Sequence, residues 1–350
     1  MQQIERGFPF LPAGCHMELD PIAAEIVLDN LRRAIPSRRP AKLEALRQLA
    51  RDHEPTLSRY LEETGLELSD IYSGDSWSDL CEAAGLPMHP AGPHERELRR
   101  ACGRLLHIDD PERLQTFQAL VAREAPPSLA TIPERDRRLL RMLVAAVTDQ
   151  ALAKSTKLEH ACALLWQHPQ VLAELRDLLA VLAGRVDHLH HRLDTHPDVP
   201  LQVHARYTRI EILAAFGVGT DAKVAPWQTG VYWAKEARAD LLAFTLDKTS
   251  GNFSPTTRYS DYAISRDLIH WESQSMTRAA SETGRRYQQH AQLGTAIMLF
   301  ARLRSDDRAF WFLGPATYAG HKSGMPMQVT WRLHHPLPGD LFAAFAAAVA

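Results

Sequence analysis

Helical spacing of apolar residues runs through the first two hundred positions of the chain and then stops. Ile22, Ile26, Leu31 and Ile35 repeat at that spacing, as do Leu43-Leu46-Leu49, Leu114-Phe117-Leu120-Val121, Leu139-Leu140-Leu143-Val144-Val147 and Leu172-Leu175-Leu179-Leu182. Proline follows a polar residue in Asp20-Pro21, Asp110-Pro111 and His168-Pro169, where a first helical turn tolerates its missing N–H. The pattern predicts an all-helical domain over residues 1–200, with about eight to ten helices joined by proline-rich connections near 36–40, 87–93 and 126–133.

Beyond position 200 the chemistry changes. Nineteen of the 26 aromatic residues lie there, and 16 basic against 12 acidic side chains give this part a net charge of +4, against −6 for the rest. Thr208 and Glu211 form a capping box ahead of Ile210, Leu213, Ala214 and Phe216, with Gly217 placed to end the helix. Strand-like runs follow at 241–246, 296–303, 310–313 and 327–333, with a second helix over 281–293. In the last strand Met327, Val329, Trp331 and Leu333 alternate with Gln328, Thr330 and Arg332, the mark of a half-buried strand. The fold class predicted is α+β: the helical domain, then a small mixed domain over 201–350 with a curved sheet or open barrel.

Several function classes are disfavoured. No apolar run approaches the roughly 18 residues a membrane span needs, and the first residues lack a signal peptide's basic head, so a cytoplasmic protein is expected. Cys15, Cys81, Cys102 and Cys162 show no metal-knuckle or disulfide spacing. No Gly-x-Ser-x-Gly elbow and no dinucleotide loop is present; Gly314–Gly320 suits a strand and turn, and no cofactor is implied. The histidine-rich run 185–198 has no two histidines four apart, so a solvated helix end entering a proline linker explains it better than a metal. Residues 57–85 suggest short helices broken by glycines. Asp79 and Glu82, on the face of the second helix that would meet DNA, favour a plain bundle over a helix-turn-helix.

The stretch 252–277 holds the densest chemistry. Tyr259, Tyr262 and Trp271 offer stacking faces, while Asp261, Glu272, Ser273 and Gln274 can read a hydrogen-bonding edge, the combination that holds a flipped base. Arg206, Arg209, Arg278, Arg285, Arg286 and Lys322 are the candidate phosphate contacts. Two other readings stand beside this one. The same aromatics serve equally as core, in a scaffold that docks a partner through a tail such as 341–350. Asp261 with Glu272 and Gln274 has the outline of a Mg²⁺-dependent nuclease site, except that Gln274 stands where a lysine is usual.

The blocks HARYTR (204–209), EILAAFG (211–217), FSPTTRYSDYAIS (253–265), IHWESQS (269–275), FLGPATY (312–318) and PMQVTWRLHHPLP (326–338) together resemble a C-terminal domain of unknown function. That domain closes many bacterial superfamily 2 helicases, often ones that carry a phospholipase-D-type nuclease. Residues 7–20 and 61–86 resemble the helical segment after the motor in the same proteins. The resemblance implies a helical coupler followed by an SRA- or PUA-like reader of double-stranded DNA, with modified cytosine as target, in a modification-dependent restriction or antiphage-defence system. This chain lacks the ATP-binding loop, the acidic helicase box and the His-x-Lys nuclease pair, so the resemblance implies a module without motor or catalytic residues of its own, working with a helicase or nuclease partner.

Overall fold

Helices occupy the described chain up to residue 183 and strands dominate after residue 190, in a computed structural model that describes residues 38–186, 188–246 and 261–349. The expected helix over 22–35, the proline turn at Asp20-Pro21, Tyr259, and the resemblance at 7–20 fall outside the described residues. The chain separates into two units, Met1–Pro90 and Ala91–Ala350.

The first unit carries α1 (Arg39–Asp52), α2 (Leu57–Thr64), α3 (Leu68–Tyr72) and α4 (Trp77–Ala84). Leu46, Leu57, Tyr60, Ile71 and Leu80 are wholly buried in it. Tyr60 packs on Trp77 at 5.3 Å and donates its hydroxyl hydrogen to the Lys42 carbonyl at 2.9 Å. The glycine-broken reading of 57–85 matches these helices, and Asp79 has a local task. Its carboxylate accepts from the Ser76 N–H at 3.0 Å while the Ser76 hydroxyl accepts from the Asp79 N–H, closing a capping box. Gly85 ends α4 with φ +85°, and nothing lies within 4 Å of where a Cβ would stand. Gly85→Ala therefore costs backbone strain alone, about 1 kcal/mol, read as a lower urea midpoint at unchanged slope.

In the second unit α5 (Glu95–Cys102), α6 (Pro111–Val121), α7 (Glu134–Thr148), α8 (Leu158–Trp166) and α9 (Pro169–Ala183) lead into the sheet. Asp110 caps α6 through its side chain, and His168 stands at the N-cap position of α9 without a side-chain capping bond, each directly ahead of its proline. The histidine-rich run is not a helix end. His191–Arg192 forms a short strand β1 that pairs antiparallel with β2 (Gln202–Val203). Then come β3 (Arg206–Thr208) and α10 (Arg209–Ala215), with the capping box at Thr208 and Glu211 and Gly217 at φ +69°.

The remaining elements are β4 (Val231–Ala234), β5 (Ala239–Thr245), β6 (Tyr262–Ala263), β7 (Leu268–Glu272), α11 (Glu282–Gln289), β8 (Ala296–Arg302), β9 (Ala309–Lys322), β10 (Gln328–Leu333) and α12 (Gly339–Val349). The strands form an open eight-stranded sheet in the order β4-β5-β8-β9-β10-β7-β6, with β3 paired to β9 as well. Among the described strands only β5 and β8 run parallel. The long β9 shifts register against β8 at Leu299/Phe300, opposite Gly314. Gly314 adopts φ +94° with Val203 Cγ1 3.0 Å from where a Cβ would sit, so this bend needs glycine. One face buries Ile269, Trp271, Ile297, Leu299, Val329 and Trp331 beneath Tyr287 of α11 and Phe345 of α12. The apolar tail thus folds onto its own core.

A buried ionic network ties α6 to β3 and α10. Arg113, fully buried, lies 2.8 Å from carboxylate oxygens of both Asp110 and Glu211. It also donates to the Arg206 carbonyl at 2.7 Å and stacks on Tyr207 at 4.2 Å. His107 Nε2 reaches the other Glu211 oxygen at 2.6 Å. Burial alone raises the Glu211 pKa, but His107 and Arg113 outweigh it and hold the group at about 2.

Candidate nucleic-acid interface

The β9–β10 hairpin turns at Ser323–Met327, and the loop after β7 folds against that turn. The backbone makes this junction. Ser273 N–H donates to the Met327 carbonyl, the Met327 N–H donates to the Ser273 hydroxyl, both at 2.9 Å, and the Ala279 N–H donates to the Gly324 carbonyl at 3.1 Å. Ser273 is therefore a buried fastener. Its pinned loop brings Gln274, Met276 and Arg278 beside Lys322 and Met325 at one end of the sheet. Met276 is 76% exposed and Met325 45% exposed. Gln274 and Arg278 on the same loop, and Lys322 at the end of β9, are exposed as well.

From this end a strip of outward side chains runs along the sheet, because alternate residues of β7 and β10 face away from the core. Glu272 accepts from the Gln328 amide at 3.0 Å. Next along, the exposed Tyr262 ring stacks on His270 at 4.7 Å and 10°. Arg332, at the far end, pairs with Asp267 at 2.6 Å.

The structure distributes the predicted residues among different roles. Trp271 points inward, 3% exposed, packed on Tyr287 at 5.6 Å and Trp331 at 6.3 Å. Asp261 is also buried, and its carboxylate accepts from the Glu272 N–H at 2.9 Å. Of the base-pocket candidates, Tyr262 and Gln274 face outward. Arg285 is exposed on α11, whereas Arg286 makes a two-pronged contact with the buried Asp240 at 2.7 and 2.8 Å and covers Trp233. Arg206 stacks on Trp311 at 4.6 Å, and Arg209 donates to the Trp227 carbonyl at 3.1 Å. The hairpin end thus gathers Gln274, Arg278 and Lys322, and leaves Arg206, Arg209 and Arg286 elsewhere. Among the described residues no three His, Cys, Asp or Glu side chains stand together as a metal site. No helix among them is long and apolar enough to cross a membrane.

Met276, Met325 and Gln328 escape a reading by residue type, because an exposed methionine looks like a core residue until its strand partners are known, whereas Glu272 is among the edge-reading candidates. The alternation of 327–333 carried the signal for Gln328, which it placed on the open face.

Residues 201–345, which carry this sheet and its hairpin, match the domain of unknown function DUF3427. The match spans every strand from β3 to β10 and most of α12, and covers less than half of the chain. No curated protein is significantly similar to the chain. Among solved structures, Arabidopsis thaliana SUVH6 in complex with SAM aligns at 14% identity and a TM-score of 0.29, over 68% of this chain and 40% of the SUVH6 chain. This chain therefore spans well under half of the SUVH6 chain, and that TM-score is too low to transfer fold or function.

Proposed function

We propose that the chain is a DNA-recognition module, in which the DUF3427-matching part meets double-stranded DNA through the hairpin end of its sheet. The carrying observation is that the exposed Met276 and Met325 lie on two segments joined by the Ser273–Met327 and Ala279–Gly324 hydrogen bonds, with Gln274, Arg278 and Lys322 exposed on or next to them. Apolar side chains flanked by cations and amides are what a protein inserts between base steps when it opens or kinks a duplex. Arg278, Arg285 and Lys322 contact phosphates and set position. The outward strip of Glu272, Gln328, His270 and Tyr262 then reads the displaced base. A carboxylate accepts from a cytosine amine, and a tyrosine face stacks on the ring. In this reading residues 1–200 couple recognition to a helicase or nuclease partner, and the target is modified cytosine in a restriction or defence setting.

Binding to matched duplexes, unmodified and carrying 5-methylcytosine or 5-hydroxymethylcytosine, tests the reading across a salt series. The wild-type protein should bind with a steep salt slope and prefer a modified duplex. Arg278→Gln with Lys322→Gln should flatten that slope by about 0.9 for each phosphate the variant no longer neutralises. An unchanged slope would remove the hairpin from the interface. No binding to any duplex would favour a scaffold that docks a partner, and Mg²⁺-dependent cleavage would favour a nuclease.

A further inference from the structure

Away from the hairpin, two adjoining hollows of about 720 and 510 Å³ share Arg141, Gly219, Thr220 and Asp221 in their walls. Arg141 is 5% exposed. Its Nε and Nη2 donate to the Asp221 and Val218 carbonyls at 2.8 and 2.9 Å, while its buried Nη1 has no hydrogen-bond partner. Across the larger hollow, Arg209 donates to the Trp227 carbonyl and lies over the Trp227 and Phe310 rings at 5.5 and 5.4 Å, with its buried Nε unpartnered.

Among the described residues neither guanidinium has a carboxylate within ion-pair distance. Burial lowers the pKa of both; the Asp221 charge offsets it only in part at Arg141, and Arg302 adds to it at Arg209. The acids that line this hollow do not balance the charge. Asp149 is taken up by Lys223 at 3.6 Å, and Asp221 meets Arg141 through its backbone carbonyl. Lys154 stands exposed at the rim. The buried Arg141 and the half-buried Arg209 thus bring two guanidiniums without a carboxylate partner to one hollow, and with Lys154 they give it a cationic wall that suits an anion. Ile210, Leu213, Val224 and Pro226 give the same hollow an apolar wall.

We infer that the larger hollow binds a nucleoside phosphate, with its phosphate on Arg141, Arg209 and Lys154 and its base along the apolar wall. The phosphate is either that of a free nucleotide or that of a nucleic-acid strand end. The site lies apart from the hairpin and does not depend on the DNA reading.

Calorimetric titration of the full chain in phosphate-free, low-salt buffer with AMP, adenosine and inorganic phosphate tests the inference. AMP should saturate one site, with adenosine and inorganic phosphate each at least tenfold weaker. Arg209→Gln should weaken AMP at least tenfold. Lys154→Glu, at an exposed position that leaves the core intact, should do the same. Arg278→Gln with Lys322→Gln should leave AMP affinity unchanged. Displacement of bound AMP by a 5′-phosphorylated oligonucleotide assigns the site to a strand end, and its failure assigns it to a free nucleotide. Absence of saturable AMP binding, or AMP affinity unchanged in Lys154→Glu and Arg209→Gln, overturns the inference.

Discussion

Arg113→Met lowers the unfolding free energy by about 3–5 kcal/mol, the cost of removing one partner from a buried ionic cluster. Methionine preserves most of the side-chain volume, so the destabilisation comes from the charges left behind. Asp110 and Glu211 are both buried and both lie 2.8 Å from the guanidinium. Without it Glu211 keeps His107 Nε2 at 2.6 Å and the Thr208 hydroxyl at 2.8 Å, but no arginine. Adding Glu211→Gln removes one of the stranded charges and should restore at least about 1 kcal/mol, a non-additivity expected of residues in contact. Urea unfolding of the two single variants and the double variant reads this directly. Strictly additive effects would show that the arginine acts by packing on Tyr207 instead.

Acidification from pH 7 to 4.5 destabilises the wild-type protein through His204. Burial, with His191, His335 and His190 nearby, lowers its pKa to about 4. The folded value lies below the unfolded one, near 6.5, so the unfolded chain takes up the proton first and stability falls over that interval. A shift of that size corresponds to about 3 kcal/mol when complete, and to somewhat less by pH 4.5. Asp109 acts in the opposite sense. Burial raises it to about 6, so the folded state gains a proton first and is favoured as the pH falls below that value. Comparing wild type with His204→Asn at both pH values cancels the Asp109 contribution. Asparagine also tolerates the positive φ of 76° at this position. The variant should lose about 2–3 kcal/mol less than wild type on acidification. Equal changes in the two proteins would place the acid sensitivity elsewhere.

The helices and the major strands were legible because they obey local rules. Asp110-Pro111, His168-Pro169 and the Thr208–Glu211 box mark helix starts that recur in the structure, and the alternation of 327–333 faces the core as predicted. The candidate site was legible only by composition. Trp271 and Tyr262 are equally good stacking residues on paper, and what separates them is strand parity, which turns one inward and the other out. Asp261 has the chemistry of an edge reader, but it caps the backbone of the neighbouring strand. Arg209 stood among the candidate phosphate contacts, but Arg141 carried no sequence signal, and nothing in the sequence brought the two to one hollow. Their significance rests on which carboxylates are absent around them, and that depends on tertiary packing.

The strand order bears on how the molecule is made. Pairing through β10 joins β7 and β6 to the rest of the sheet, and β10 comes last in sequence among the described strands. A ribosome delivers residues in order, so the β6–β7 hairpin with Tyr262 and His270 waits, unpaired on its inner edge, for some sixty residues. Pairings this distant in sequence form late and slowly. The proposed reading face therefore comes into being only as synthesis passes residue 333, and a nascent chain stopped short of that point lacks the surface on which a base would be read.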